Sequence, residues 1–256
     1  MNKINNPAGR LHTLLQEAKK KEGNNNGYHL WATVFDISQN PDEPMPDEVL
    51  VEVIHRVVQM IDLISDAERT LKTIPDIDTT LYLEPYSRIR KVLRIDNLPL
   101  GNYREHLKQI TNGDMALLAI GAVEISKHQD EPIIEEQVLD KFLEEIDALF
   151  KEVRTSSIND KLKRFILEQL ELIRRAVHEY QIGGIERLRK ALAMSLGELI
   201  LHKDLIEESK DQEEVRKYGN IVNHLFSVVS FAADMTQVIE GVGKYLPYLL
   251  LTIGKS

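Results

Sequence analysis

Glu52 and His55 stand three residues apart in a stretch of helical periodicity, so both side chains project to one side. That is the local spacing with which helical bundles hold carboxylate-bridged metal pairs. Such a centre also needs a second Glu-x-x-His and inward carboxylates on facing helices, and the chain has no second Glu-x-x-His. The two residues therefore read as an ordinary surface pair, and no metal or other cofactor is expected. Asp76 and Asp78, on either side of Ile77 and just after Pro75, have the oxygen chemistry of a divalent-cation site. A cap for the following helix is the simpler use of one of them. Glu198 with His202, and Arg175 with Glu179, are four apart and read as side-chain pairs on helix surfaces.

Arg174 and His178 invite comparison with the arginine and histidine of helical ribonucleases. The interval here is one residue shorter than that pattern's usual minimum, so the activity is not carried over. The absence of cysteine removes disulfides, thiolate nucleophiles, iron-sulfur clusters and cysteine-ligated zinc. No glycine-rich loop ending in lysine and serine or threonine is present, and neither Gly183-Gly184 nor Gly241 with Gly243 follows a strand. No catalytic residue is assigned, and the chain reads as non-enzymatic.

The more informative pattern is one of binding. Asn220, Asn223, Ser227, Ser230, Asp234, Gln237, Gly241 and Lys244 recur at spacings of three and four along an otherwise apolar stretch from Ile221 to Ile253. At about 100° per residue they form a polar stripe on an apolar cylinder, which needs neighbours on most sides. Those neighbours are other helices of the same chain, a partner copy, or lipid. For the window Leu225 to Val242, the apolar side chains gain on the order of 2.5 to 5 kcal/mol on insertion, while Asp234 alone costs about 2.5 to 3.5. A constitutive membrane span is therefore disfavoured. A conditional membrane contact, with the stripe lining a shared lumen, is the competing reading: a helical effector of toxin-like or abortive-infection type. The leading expectation is an intracellular interaction or regulatory protein that binds another protein, or a copy of itself. Asn223, Ser227, Ser230, Asp234, Gln237, Tyr245, Leu246, Tyr248 and Leu249 are the candidate interface.

A second candidate surface is the basic cluster Arg88, Arg90, Lys91 and Arg94 beside Tyr82 and Tyr86. The net charge of -9 repels a phosphate backbone at long range and argues against nucleic acid as the main partner. A solvated helix face is the plainer reading of the cluster. The N-terminal sequence lacks the continuous apolar core of a signal peptide, so a cytoplasmic location is expected.

The elements that must position these residues are helices. Proline and capping residues divide the chain into segments with 3.6-residue periodicity, and no convincing two-residue alternation competes with them. Pro7 starts a short amphipathic helix with Leu11, Leu14, Leu15 and Ala18 on one face, and residues 28 to 37 read as a short helix holding Trp31, the only tryptophan. A proline-rich loop over 38 to 46 precedes a long helix to about Thr73, for which Asp47 is the expected cap. That helix spans about 40 Å, against a radius of gyration near ~18 Å for a compact chain of this length. Shorter segments follow to residue 128, the last of them apolar enough to predict burial on several sides.

Pro132 is then expected in the first turn of a long helix, a further helix runs to Ile182 and ends at Gly183-Gly184, another follows to Leu201, and Asp211 with Glu214 is expected to cap the last. The fold expected is all-α, an elongated up-and-down bundle with short crossing helices and a mostly buried C-terminal helix. The organisation reads as an N-terminal unit over 1–45, a helical half over 46–128 and a C-terminal bundle half over 129–256.

Overall fold

The computed structural model describes residues 4–21, 26–40, 43–129 and 131–231. Within them the chain is all-α, with twelve α-helices, one short 3-10 turn and no strand. The described residues divide into two compact units. The first runs to Glu131 and takes in Gln181–Gly184; the second comprises Pro132–Tyr180 and the chain from Ile185 onward.

In the first unit, α1 (Pro7–Lys20) starts where Pro7 needs no hydrogen-bond partner for its missing N–H and where the Asn6 side chain accepts from Gly9 N. Its buried face is Leu11, Leu14, Leu15 and Ala18. The next segment is indeed helical, α2 (Gly27–Val34), capped by Asn26 and centred on the fully buried Trp31. Long α3 (Asp47–Thr73) begins one residue earlier than its expected cap allows: Pro46 holds the cap position, and Asp47 sits in the first turn, where its charge favours the helix dipole. After the turn at Pro75, Asp78 accepts from Thr80 N and Leu81 N and so starts α4 (Thr79–Val92), while Asp76 adopts φ 60° in the turn itself. The unit is completed by α5 (Tyr103–Lys108) and α6 (Asn112–His128).

Helices α1, α6, α4 and α3 each pack on the next, and α3 closes the ring on α1. Burial of α6 is narrower than its composition predicts. Leu118, Gly121, Ala122 and Ile125 face inward, whereas Ile120 and Val123 stay exposed. Three inner neighbours cover only one side of a helix that is apolar on more than one.

The second unit repeats the plan with α7 (Glu136–Thr155), α8 (Asp160–His178), α10 (Ile185–Leu201) and α12 (Glu213–Phe231), each packed on the next and α12 returning to α7. Short α11 (Lys203–Glu208) falls in the connection before α12, whereas α9 (Tyr180–Gly183) keeps only Tyr180 in this unit. Pro132 lies ahead of α7 in extended chain, because Glu135 with φ -63° and ψ 140° holds the cap position. Asn159 caps α8 by accepting from Lys161 N. Gly184, at φ +61°, makes the expected break before α10. The last long helix begins at Glu213, so Asp211 lies ahead of the cap position, which Gln212 occupies with its carbonyl accepting from Arg216 N.

Candidate interaction surface

Helix α12 buries Val215, Tyr218, Val222, Leu225 and Val229, a seam spaced alternately three and four residues apart. Tyr218 meets Phe165 of α8 edge to face, with ring centroids 5.8 Å apart. On the flank toward α7, Lys217 donates to both carboxylate oxygens of Glu152 at 2.6 and 2.7 Å, and the His224 ring lies 2.7 Å from Glu145 and 4.7 Å from the Phe142 ring. The partners on α7 rise by seven as those on α12 fall by seven, which fixes the two helices as antiparallel neighbours.

The polar stripe lies opposite that seam. Asn220 and Ser227 are exposed, Asn223 and Ser230 half-buried, and the Ser227 hydroxyl donates to the Asn223 carbonyl at 2.9 Å. Over its described residues α12 is thus amphipathic in the usual sense, with Asn220 and Ser227 turned outward, while the Ser230 hydroxyl is sealed from water without a hydrogen-bond partner. The other candidate interface residues, Asp234, Gln237, Tyr245, Leu246, Tyr248 and Leu249, lie outside the described residues.

The three arginines of the basic cluster, two on α4 and Arg94 just beyond it, are paired with neighbouring carboxylates. Arg88 pairs with Asp114 and approaches Glu84 at 3.9 Å, Arg90 reaches Glu68 at 3.2 Å and Ser65 at 3.2 Å, and Arg94 pairs with Asp96 at 2.5 Å. Lys91 is exposed. The neighbouring tyrosines point inward: Tyr86 is fully buried, which pushes its phenol above the ordinary range, and Tyr82 packs against the core. Aromatic and basic groups therefore do not share a surface. Burial alone would raise Asp114, yet hydrogen bonds from Arg88 and Thr111 outweigh it and hold the carboxyl below its usual range.

The remaining candidates for chemistry are likewise engaged in holding helices. Glu52 accepts from Arg56 at 2.7 Å, and the His55 ring is 2.8 Å from the Gln59 amide. Among the described residues no group of three or more metal-ligating side chains is assembled. Arg174 lies over the Phe150 ring at 5.2 Å, is 3.4 Å from Asp147 on α7, and pairs with Glu171 on its own helix. Glu198 pairs with His202 at 3.4 Å, as its spacing predicts. Glu179 departs from expectation: it is buried, and Arg187 approaches it at 3.6 Å.

Sequence periodicity did not reveal the buried polar anchors of the first unit. Asn6, besides capping α1, donates to the Ala122 carbonyl at 2.7 Å and to Ser126 at 3.0 Å. Arg10 donates through Nε to the Ile182 carbonyl at 2.9 Å and pairs with Glu131. Trp31 donates to the Tyr103 hydroxyl at 3.1 Å, which donates onward to the Val92 carbonyl at 3.2 Å. Their partners are far away in sequence, so no local spacing announces them.

Among the described residues no helix is long and apolar enough to cross a membrane. Comparison with protein-family models, with curated proteins and with solved structures gives no match to the chain.

Proposed function

We propose that the chain is a non-enzymatic interaction protein, acting by binding another protein or a further copy of itself through outward helix faces, the polar stripe of α12 among them. One observation carries this reading: the distribution of exposed apolar surface. The side chains with chemical potential are engaged in pairs, within one turn at Glu52 with Arg56 and Glu198 with His202, and between α7 and α8 at Asp147 with Arg174. Large apolar side chains are left instead on outer faces, Ile120 and Val123 on α6, and Met194 and Leu201 on α10. Exposed apolar groups gathered on one helix face favour docking over catalysis.

The test is affinity capture by the full chain and by an Asn223→Arg/Ser227→Arg variant, both with the native far-UV spectrum. The expected result is a stoichiometric protein partner held by the parent and released by the variant, since two arginines on the outward face of α12 obstruct close approach without entering the seam. Identical capture by the two proteins, or capture of nothing by either, would overturn the role given to α12, and a parent that in addition remains monomeric would overturn the reading as a whole.

A further inference from the structure

Helix α10 is built differently on its two sides. Its inner side, with Leu188, Leu192, Leu196 and Leu199, is buried against α8 and α12. On its outer side Met194 is 56% exposed and Leu201 77%, and Ala193 beside them is also open to solvent. Gly197 shares that side, and a Cβ built on it would meet nothing within 4 Å. A glycine inside an exposed helix costs about 1 kcal/mol relative to alanine. Among the described residues nothing uses the space it leaves.

At about 100° per residue, Lys190, Ala193, Met194, Gly197, Leu201 and Asp204 fall within one stripe about 100° wide. The stripe passes through the break at His202, where His202 N still donates to the Glu198 carbonyl and Ile206 N to the His202 carbonyl. Ala193 and Gly197, four apart, let a second backbone come close, as small residues do wherever helices cross tightly.

We propose that this face is a homodimer contact in which two copies of α10 cross antiparallel about a twofold axis at Gly197. This rests on the reading of the chain as an interaction protein, but uses a surface separate from α12. Residues equally far from Gly197 on either side then meet across the axis. Leu201 of one copy covers Ala193 of the other, a large side chain over a small one, and Met194 meets Ile200. Lys190, exposed and basic, meets Asp204, exposed and acidic. This charge pairing selects the antiparallel second copy, because a parallel pair would set lysine beside lysine and aspartate beside aspartate. Glu186 and Glu208 fall opposite one another only at the far ends, where crossed helices have diverged.

The cysteine-free chain permits a direct test on the full-length protein. Gly197→Cys places a single thiol on the twofold axis, within reach of its own copy, and the open space at this position accommodates the side chain. Mild oxidation should give a disulfide-linked dimer roughly tenfold faster than Arg164→Cys, an exposed control on α8. By sedimentation equilibrium the parent should be dimeric and Met194→Glu/Leu201→Glu monomeric with unchanged helicity. Lys190→Glu should weaken the dimer roughly tenfold, and adding Asp204→Lys should restore it. A parent that remains monomeric at about 100 μM, or a dimer indifferent to both the apolar and the charge-swap variants, would overturn this inference. Partner capture dependent on Asn223 and Ser227 would survive that outcome. Conversely, an α10-dependent dimer that captures no other protein would sink the role of α12 alone.

Discussion

The two units have the same ring of four packed helices but achieve specificity by different means. The first is fixed by polar side chains that reach across the sequence into buried positions: Asn6 to α6, Arg10 to the Ile182 carbonyl and Glu131, and Trp31 through Tyr103 to Val92. The second relies on apolar seams, with its charged pairs at the margins, as between Lys217 and Glu152. Both units also bury polar atoms without a hydrogen-bond partner, Gln59 Oε1 and Tyr86 Oη in the first and Gln169 Oε1, Ser195 Oγ, Tyr218 Oη and Ser230 Oγ in the second, so the difference lies in the long-range bonds of Asn6, Arg10 and Trp31. The Tyr218 phenol lies near enough to Ser195 for the hydroxyl to offset part of the upward push of burial, yet the pair misses hydrogen-bonding geometry. Buried hydrogen bonds discriminate among packings because an unmade one is costly, whereas an apolar seam tolerates adjustment. The first unit should therefore be the less forgiving of substitution.

The contrast can be broken at its strongest point first. Trp31→Ala empties the largest buried side chain of the first unit and abandons the Tyr103 hydroxyl, and should cost about 3 to 5 kcal/mol in denaturant unfolding followed by circular dichroism. Arg10→Met leaves the Ile182 carbonyl and the Glu131 carboxylate without their cation, for which about 3 kcal/mol is expected. Trp31 fluorescence should report that loss, since the only tryptophan lies in the same unit. Asn6→Asp keeps the acceptor for Gly9 N but ends donation to Ala122 and Ser126, and should cost about 1 to 3 kcal/mol, while the same change at Asn159 of α8 should cost under about 0.5, because that residue caps at an exposed site. Equal costs at the two asparagines would erase the contrast.

Titration provides a gentler test. Burial holds His12 of α1 below its ordinary value of 6.5, so the folded protein binds this proton less readily than the unfolded chain. Its contribution to stability is complete above that value and declines as pH falls through it toward the folded-state value. His12→Phe should flatten the Trp31-monitored stability profile across this window. The smallest effect is expected in the second unit: Tyr218→Phe removes a buried hydroxyl that makes no hydrogen bond, so stability should stay within about 0.5 kcal/mol or rise. A loss beyond about 1.5 kcal/mol would mean that the hydroxyl is satisfied in solution and that the units are more alike than described.

The second unit was largely legible in the sequence because its positional information is local. Phe142, Ile146, Leu149 and Val153 on α7 recur at helical spacing, and so do the seam residues of α12. A cap was legible where the side chain bonds within its own turn, as at Asp78, one of the two aspartates in its turn, and caps were misjudged by a residue or two at Asp47 and Asp211, where proline or glutamine holds the cap position instead. The polar stripe of α12 was visible as a pattern, but not the side it faces. The basic cluster on α4 was likewise visible as composition, while its carboxylate partners Glu68 and Asp114 stand 22 and 26 residues away from the arginines they meet.

Helix periodicity and the turn chemistry of proline, glycine and asparagine determined by themselves that this chain is all-α and where most of its helices run, because backbone hydrogen bonds in helices close within a few residues. Only the tertiary structure decided which apolar side chains are covered. Ile120 and Met194 are as hydrophobic as their buried neighbours, and what separates them from Leu118 and Leu196 is the direction in which the adjacent helices lie. It also decided which charges are neutralised, because ion pairs between helices depend on spatial neighbours that spacing along one helix does not reveal.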